Sequence, residues 1–104
     1  MSTTISVIPY YEVIDSIHGF ILKNSNTYFD WFIGLSENAE KMLFEEHKLH
    51  PAYDMWIYEE VPSGSDAFRI REYFLNMGCA GGLVQHQEKI RYIYAYRRSS
   101  ATNP

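Results

Sequence analysis

Trp31-Phe32-Ile33-Gly34-Leu35-Ser36 runs into Glu37-Asn38-Ala39-Glu40-Lys41-Met42-Leu43-Phe44, and the change of pattern between the two decides the fold class. The first stretch is almost wholly apolar and carries no charge, as a strand covered on both faces requires. With Tyr28, Phe29 and Asp30 ahead of it, it predicts a buried strand over 28–35 with Asp30 as its one charge. In the second stretch Ser36 and Asn38 are both suitable helix caps, and Ala39, Met42, Leu43 and Phe44 gather on one side at helical spacing. A helix over about 37–48 follows, closed by Pro51.

Working outward toward the start of the chain, residues 3–8 suit a short strand, and Pro9 stands where a first helical position would be. Tyr10, Val13, Ile14, Ile17 and Ile21 then predict a helix over 10–22, ended by an Asn-Ser-Asn turn at 24–26. On the other side, Trp56, Ile57 and Tyr58 give a strand over 55–61. Ser63-Gly64-Ser65-Asp66 has the pattern of a capping box. The helix it opens runs to 77 with Ala67, Ile70, Tyr73, Phe74 and Met77 as its stripe, and Gly78 is its stop. Residues 89–97 alternate, with Ile90, Tyr92, Tyr94 and Tyr96 on one face and Arg91, Ile93, Ala95 and Arg97 on the other, which is a strand. From Ser99 the chain is polar and reads as a frayed tail.

Strands alternating with helices define a mixed α/β (α+β) domain, with a small central sheet of about three strands covered by helices. Spacing leaves the strand order open. The whole of 1–104 reads as a single domain without repeat, linker or low-complexity tract. Nine tyrosines and six phenylalanines make the core aromatic. The net charge of −4 argues against a broad basic footprint for nucleic acid. The lone Cys79 excludes an internal disulfide and a cysteine-cluster zinc site. With no leader pattern and no apolar run long enough for a membrane span, the expectation is a soluble, cytoplasmic protein with no membrane partner.

Two segments, 30–47 and 55–78, together resemble the core of the GIY-YIG endonuclease family. Phe32-Ile33-Gly34 matches the Tyr-Ile-Gly of the second family motif with Phe for Tyr, and Asn38 and Leu43 fall at the offsets of its polar turn and helix. In the second segment, a Trp-Ile-Tyr strand leads into a helix carrying Arg69-Ile70-Arg71-Glu72-Tyr73. The resemblance implies a GIY-YIG-like fold with catalytic positions at Phe32, Lys41 or Met42, and Glu72, the glutamate holding a divalent cation such as Mg²⁺ if the domain is an active nuclease. The departures fall on the chemistry. No first motif precedes residue 28, Phe32 lacks the tyrosine hydroxyl, and Met42 stands where the family has its arginine. Methionine has neither charge nor strong donor to stabilise an attacked phosphate. Lys41 is adjacent, but one helical step turns a side chain by about 100°.

Other residues hold two readings each. Glu72 is a cation ligand or a solvated helix residue paired with Arg69. His47 and His50, with Glu46, are a zinc pair or helix-end residues favoured by the dipole. The stretch from Gly78 to Gly82 follows a helix and is a flexible turn, since a phosphate loop follows a strand. Arg91, Arg97 and Arg98, interleaved with tyrosines, are a nucleic-acid strip or a guarded edge strand. Acidic residues Glu37, Glu40, Glu45, Glu46, Asp54, Glu59 and Glu60 would repel phosphate if they shared a face.

The expectation is therefore a degenerate, non-catalytic GIY-YIG-like domain that binds a nucleic acid or a protein. The alternatives are a divergent metal-dependent endonuclease that uses Glu72, and an acidic inhibitor of a nucleic-acid enzyme.

Overall fold

The computed structural model describes residues 9–25, 27–82, 89–100 and 102. The strand expected over 3–8 lies outside them, as does Asn26 of the expected turn. Pro9 precedes helix α1 (Tyr10–Asn24), and its carbonyl accepts from the amides of Glu12 and Val13 at 3.0 and 3.2 Å. Val13, Ile17 and Ile21 are the buried stripe of that helix.

Strand β1 (Trp31–Ser36) starts three residues later than its composition suggests, because Tyr28–Asp30 form a single 3-10 turn. Thr27 causes this: its hydroxyl accepts from the Phe29 amide at 3.1 Å and holds the turn in place.

The expected helix over 37–48 breaks in two. Helix α2 (Ala39–Lys41) is a single turn capped by Asn38, whose side chain accepts from the Lys41 amide at 3.1 Å. Met42–Glu46 then widen into a π turn, with the His47 amide donating to the Met42 carbonyl at 2.8 Å. Lys48, at φ 66°, ends it in the left-handed region.

Strand β2 (Trp56–Glu60) and helix α3 (Gly64–Met77) follow. Ser63 caps α3 by accepting from the Asp66 amide at 3.1 Å, and Gly78 ends it at φ 116°. The buried stripe of α3 is Ala67, Ile70 and Phe74, narrower than expected, since Tyr73 and Met77 are 37% and 42% exposed.

Strand β3 (Tyr92–Arg97) lies in the middle of the sheet, in the order β1-β3-β2, antiparallel to both neighbours. Ala80 joins the outer edge of β1 in parallel, its amide donating to the Trp31 carbonyl at 2.8 Å and its carbonyl accepting from Ile33 at 2.9 Å. The stretch read as a flexible turn is thus partly fixed against the sheet. In the stretch expected to fray, Thr102 is buried and bonds Ser99 through both its hydroxyl and its amide.

Alternate residues divide the sheet into two cores. On one face Trp31, Ile33, Ile93 and Ala95 pack with α1 and α3. On the other, Phe32, Tyr94 and Tyr96 pack under Ala39 and Leu43, with Trp56, Tyr58 and Tyr92 partly buried beside them. The first core is mainly aliphatic with Trp31 and Phe74 among its buried residues, and the second is mainly aromatic. Among the described residues, no helix is long and apolar enough to cross a membrane.

Candidate functional site

The positions singled out by the resemblance fall on opposite sides of the sheet. Phe32 is buried in the aromatic core, and Met42 is half-buried against the same cluster. Lys41 is exposed on α2. Glu72 is exposed on α3, the helix that covers the aliphatic face. Phe32 and Met42 are brought together, and Glu72 is not. Glu72 does not pair with Arg69, whose guanidinium lies 5.1 Å from the Tyr10 ring centre.

The three arginines form no strip. Arg91 is paired with Glu60 at 2.9 Å, at one end of β3. At the other end, Arg97 lies 3.8 Å from Asp30, and Arg98 donates to the Phe29 carbonyl at 2.5 Å and stacks over its ring. The six residues of β3 separate these groups by about 20 Å.

His47, expected as part of a zinc pair or as a helix-end residue favoured by the dipole, is buried. The π turn delivers it under the aromatic face, where its Nε2 lies 2.8 Å from the Tyr94 hydroxyl and its Nδ1 3.1 Å from that of Tyr96. Each ring nitrogen is thus within hydrogen-bond reach of one buried phenol. Burial raises the pKa of Tyr94 well above the ordinary phenol value and pushes Tyr96 up to about 12. Both phenols stay protonated, which suits a structural cluster better than a catalytic one. His50 is exposed and apart, and no metal-holding group of three His, Cys, Asp or Glu occurs among the described residues.

Charged and aromatic side chains do converge at a cleft of about 240 Å³ between the start of α2 and the outer part of the aromatic face. Glu37, Asn38, Ala39, Glu40, Tyr58 and Tyr92 line it, and none of the six is basic. Tyr58 on β2 and Tyr92 on β3 are diagonal neighbours on one face, since Tyr92 is opposite Glu60. Their rings meet edge to face with centres 5.8 Å apart. Trp56 stacks on Tyr58 at 6.0 Å, and Phe44 meets Trp56 edge-on at 5.1 Å, so an aromatic row leads into the cleft. Burial, and then the nearby Glu40 carboxylate, raise the pKa of Tyr58. Asn38 points its carbonyl at the Lys41 amide and so is committed to holding α2 in place.

The cleft can hold a cation against two carboxylates and two phenol faces. It has no nucleophile with a base beside it, and no basic group for a phosphate. Of its residues, the acidic ones were visible in the sequence as charges without a common location. Tyr58 and Tyr92 looked like ordinary strand residues, and only the register joins them.

Comparison of the chain with protein-family models, curated proteins and solved structures gives no match.

Proposed function

We propose that the chain is a non-catalytic binding domain, a degenerate relative of the GIY-YIG group, and that its partner is a basic protein. The observation that carries this reading is the acidic aromatic cleft at Glu37, Glu40, Tyr58 and Tyr92, in which the charged side chains that converge are all acidic. The separation of Glu72 from Phe32 and Met42 across the sheet supports the loss of nuclease chemistry. A metal-bound glutamate and a charge-stabilising group must face the same phosphate to act together. The pairing of Arg91 and the distance between it and Arg97 favour a protein over a nucleic acid.

The test has two parts. The purified protein is incubated with branched, nicked and single-stranded DNA and Mg²⁺ or Mn²⁺, and no cleavage is expected. Its affinity for a basic globular protein is then measured from low to high salt, and a steep fall is expected. Metal-dependent cleavage abolished by Glu72→Gln would overturn the reading in favour of a divergent endonuclease. DNA binding tighter than basic-protein binding at the same salt would overturn the choice of partner.

A further inference from the structure

The cleft points to more than a general attraction for basic surfaces. We propose that it is a receptor for one arginine side chain, presented by an exposed basic segment of the partner. The inference deepens the binding-domain reading above and rests on it.

Size comes first. The 240 Å³ of the cleft lies below the range of about 300–1,000 Å³ usual for sites that enclose a whole small-molecule ligand. It suits a single long side chain inserted from outside.

Charge is second. Glu37 and Glu40 are exposed residues of the lining, and no other lining residue neutralises them. Arg91, the chain neighbour of Tyr92, is held away by Glu60 at 2.9 Å. The cation that completes the cleft therefore comes from elsewhere. Glu40 lies beside Tyr58 in the lining, and its carboxylate oxygens are free to accept from an incoming donor.

Shape chooses between the cations. Tyr58 and Tyr92 stand at 87° to each other, so they offer ring faces in two directions. A planar guanidinium stacks on a tyrosine face and keeps its N–H groups in plane for a carboxylate. A lysine ammonium is a point charge without a planar face, and it gains less from this geometry.

A hexa-arginine peptide, a hexa-lysine peptide and a capped single arginine are titrated into the isotopically labelled protein by NMR. Saturable shifts centred on Ala39, Tyr58 and Tyr92 are expected, with arginine tighter than lysine at equal salt. The double variant Glu37→Gln, Glu40→Gln weakens hexa-arginine binding by about tenfold or more, the loss of one to two charged hydrogen bonds. A thermal melt of the same sample verifies that the variant is folded. If it is not, the single variant Glu40→Gln serves, which keeps the side-chain shape, removes one of the two charges and weakens binding several-fold.

Absence of saturable shifts at these residues, or equal affinity of the folded double variant, overturns the arginine receptor. So does lysine binding as tightly as arginine. Failure of this inference is distinct from failure of the reading beneath it. A basic globular protein that binds wild type and double variant equally removes the receptor and leaves the binding domain. A basic protein that does not bind wild type at any salt removes both.

Discussion

The Tyr94 ring lies directly over Gly34, its partner across the strands: a Cβ built on that glycine would sit 2.3 Å from the ring carbon Cζ and 2.4 Å from the hydroxyl oxygen. The glycine is there for space, since no unusual backbone angle demands it. Its missing side chain lets the tyrosine lean across β1 and reach His47.

Gly34→Ala therefore overpacks a buried layer and costs about 1–3 kcal/mol. Gly19 is the control, because a Cβ there meets nothing within 4 Å on an exposed face of α1. Gly19→Ala stabilises the helix by about 0.5–1 kcal/mol. Urea midpoints moving in opposite directions for the two substitutions verify the contrast. A neutral Gly34→Ala would show that Tyr94 can move aside freely.

His47→Ala removes the partner of two buried hydroxyls and leaves a hole, a loss of about 2–5 kcal/mol. Tyr96→Phe removes one buried hydroxyl and its bond to His47, at about 1–3 kcal/mol. The two losses share one bond, so the double variant is less destabilised than their sum. Additive losses in a double-mutant cycle would mean that the His47 and Tyr96 contact contributes nothing.

Stability falls at alkaline pH. Burial pushes the Cys79 thiol from 9.0 to about 12, against a smaller opposing pull from Arg98, and pushes Tyr96 from 10.0 to about 12. The native state thus keeps protons that the unfolded chain releases, and the slope of stability with pH is negative through that range. Stability is full below about pH 9 and declines steadily toward about pH 12. The melting temperature across this range is the measurement, and Cys79→Ala flattens its early part. The same burial keeps Cys79 unreactive to thiol reagents until the chain unfolds. Labelling at neutral pH much faster than global unfolding would contradict it.

Met42→Arg restores the residue type that the nuclease resemblance would require, yet no cleavage follows with Mg²⁺ or Mn²⁺. The new guanidinium would share the aromatic face with Phe32, with the sheet between it and Glu72. Its long stem covers part of the surface that methionine covers, so the stability cost stays at about 1–2 kcal/mol. Metal-dependent cleavage by this variant would show that the two positions meet after all.

Several elements were legible because their causes are local. The alternation from Tyr92 to Tyr96 is a property of one strand, and it sorted the tyrosines from Ile93 and Ala95 correctly onto two cores. The Ser63 cap and the Gly78 stop likewise depend only on neighbours in the chain. The π turn was not legible. Met42 to Glu46 have ordinary helical composition, and the turn is widened by where His47 must go, which depends on tyrosines nearly fifty residues away. A histidine at a helix end reads as a dipole partner until those tyrosines are known. The cleft failed to show for a related reason. Tyr58 and Tyr92 come together only through the pairing of β2 with a strand that follows α3, and sequence spacing does not supply that pairing.

The middle place of β3 also governs the order of assembly. Among the described residues β1 and β2 make no ladder with each other, and each makes its ladder with the strand that comes last of the three. Chain made through α3 has both outer strands and nothing between them, so neither core can close. The two halves must wait for Tyr92–Arg97, whose arrival closes both cores in one step. Such non-local closure is slow compared with helix formation. Chain lengths ending before Tyr92 would therefore hold helices without a sheet, and the domain would gain its cooperative melting abruptly, within the few residues of that strand.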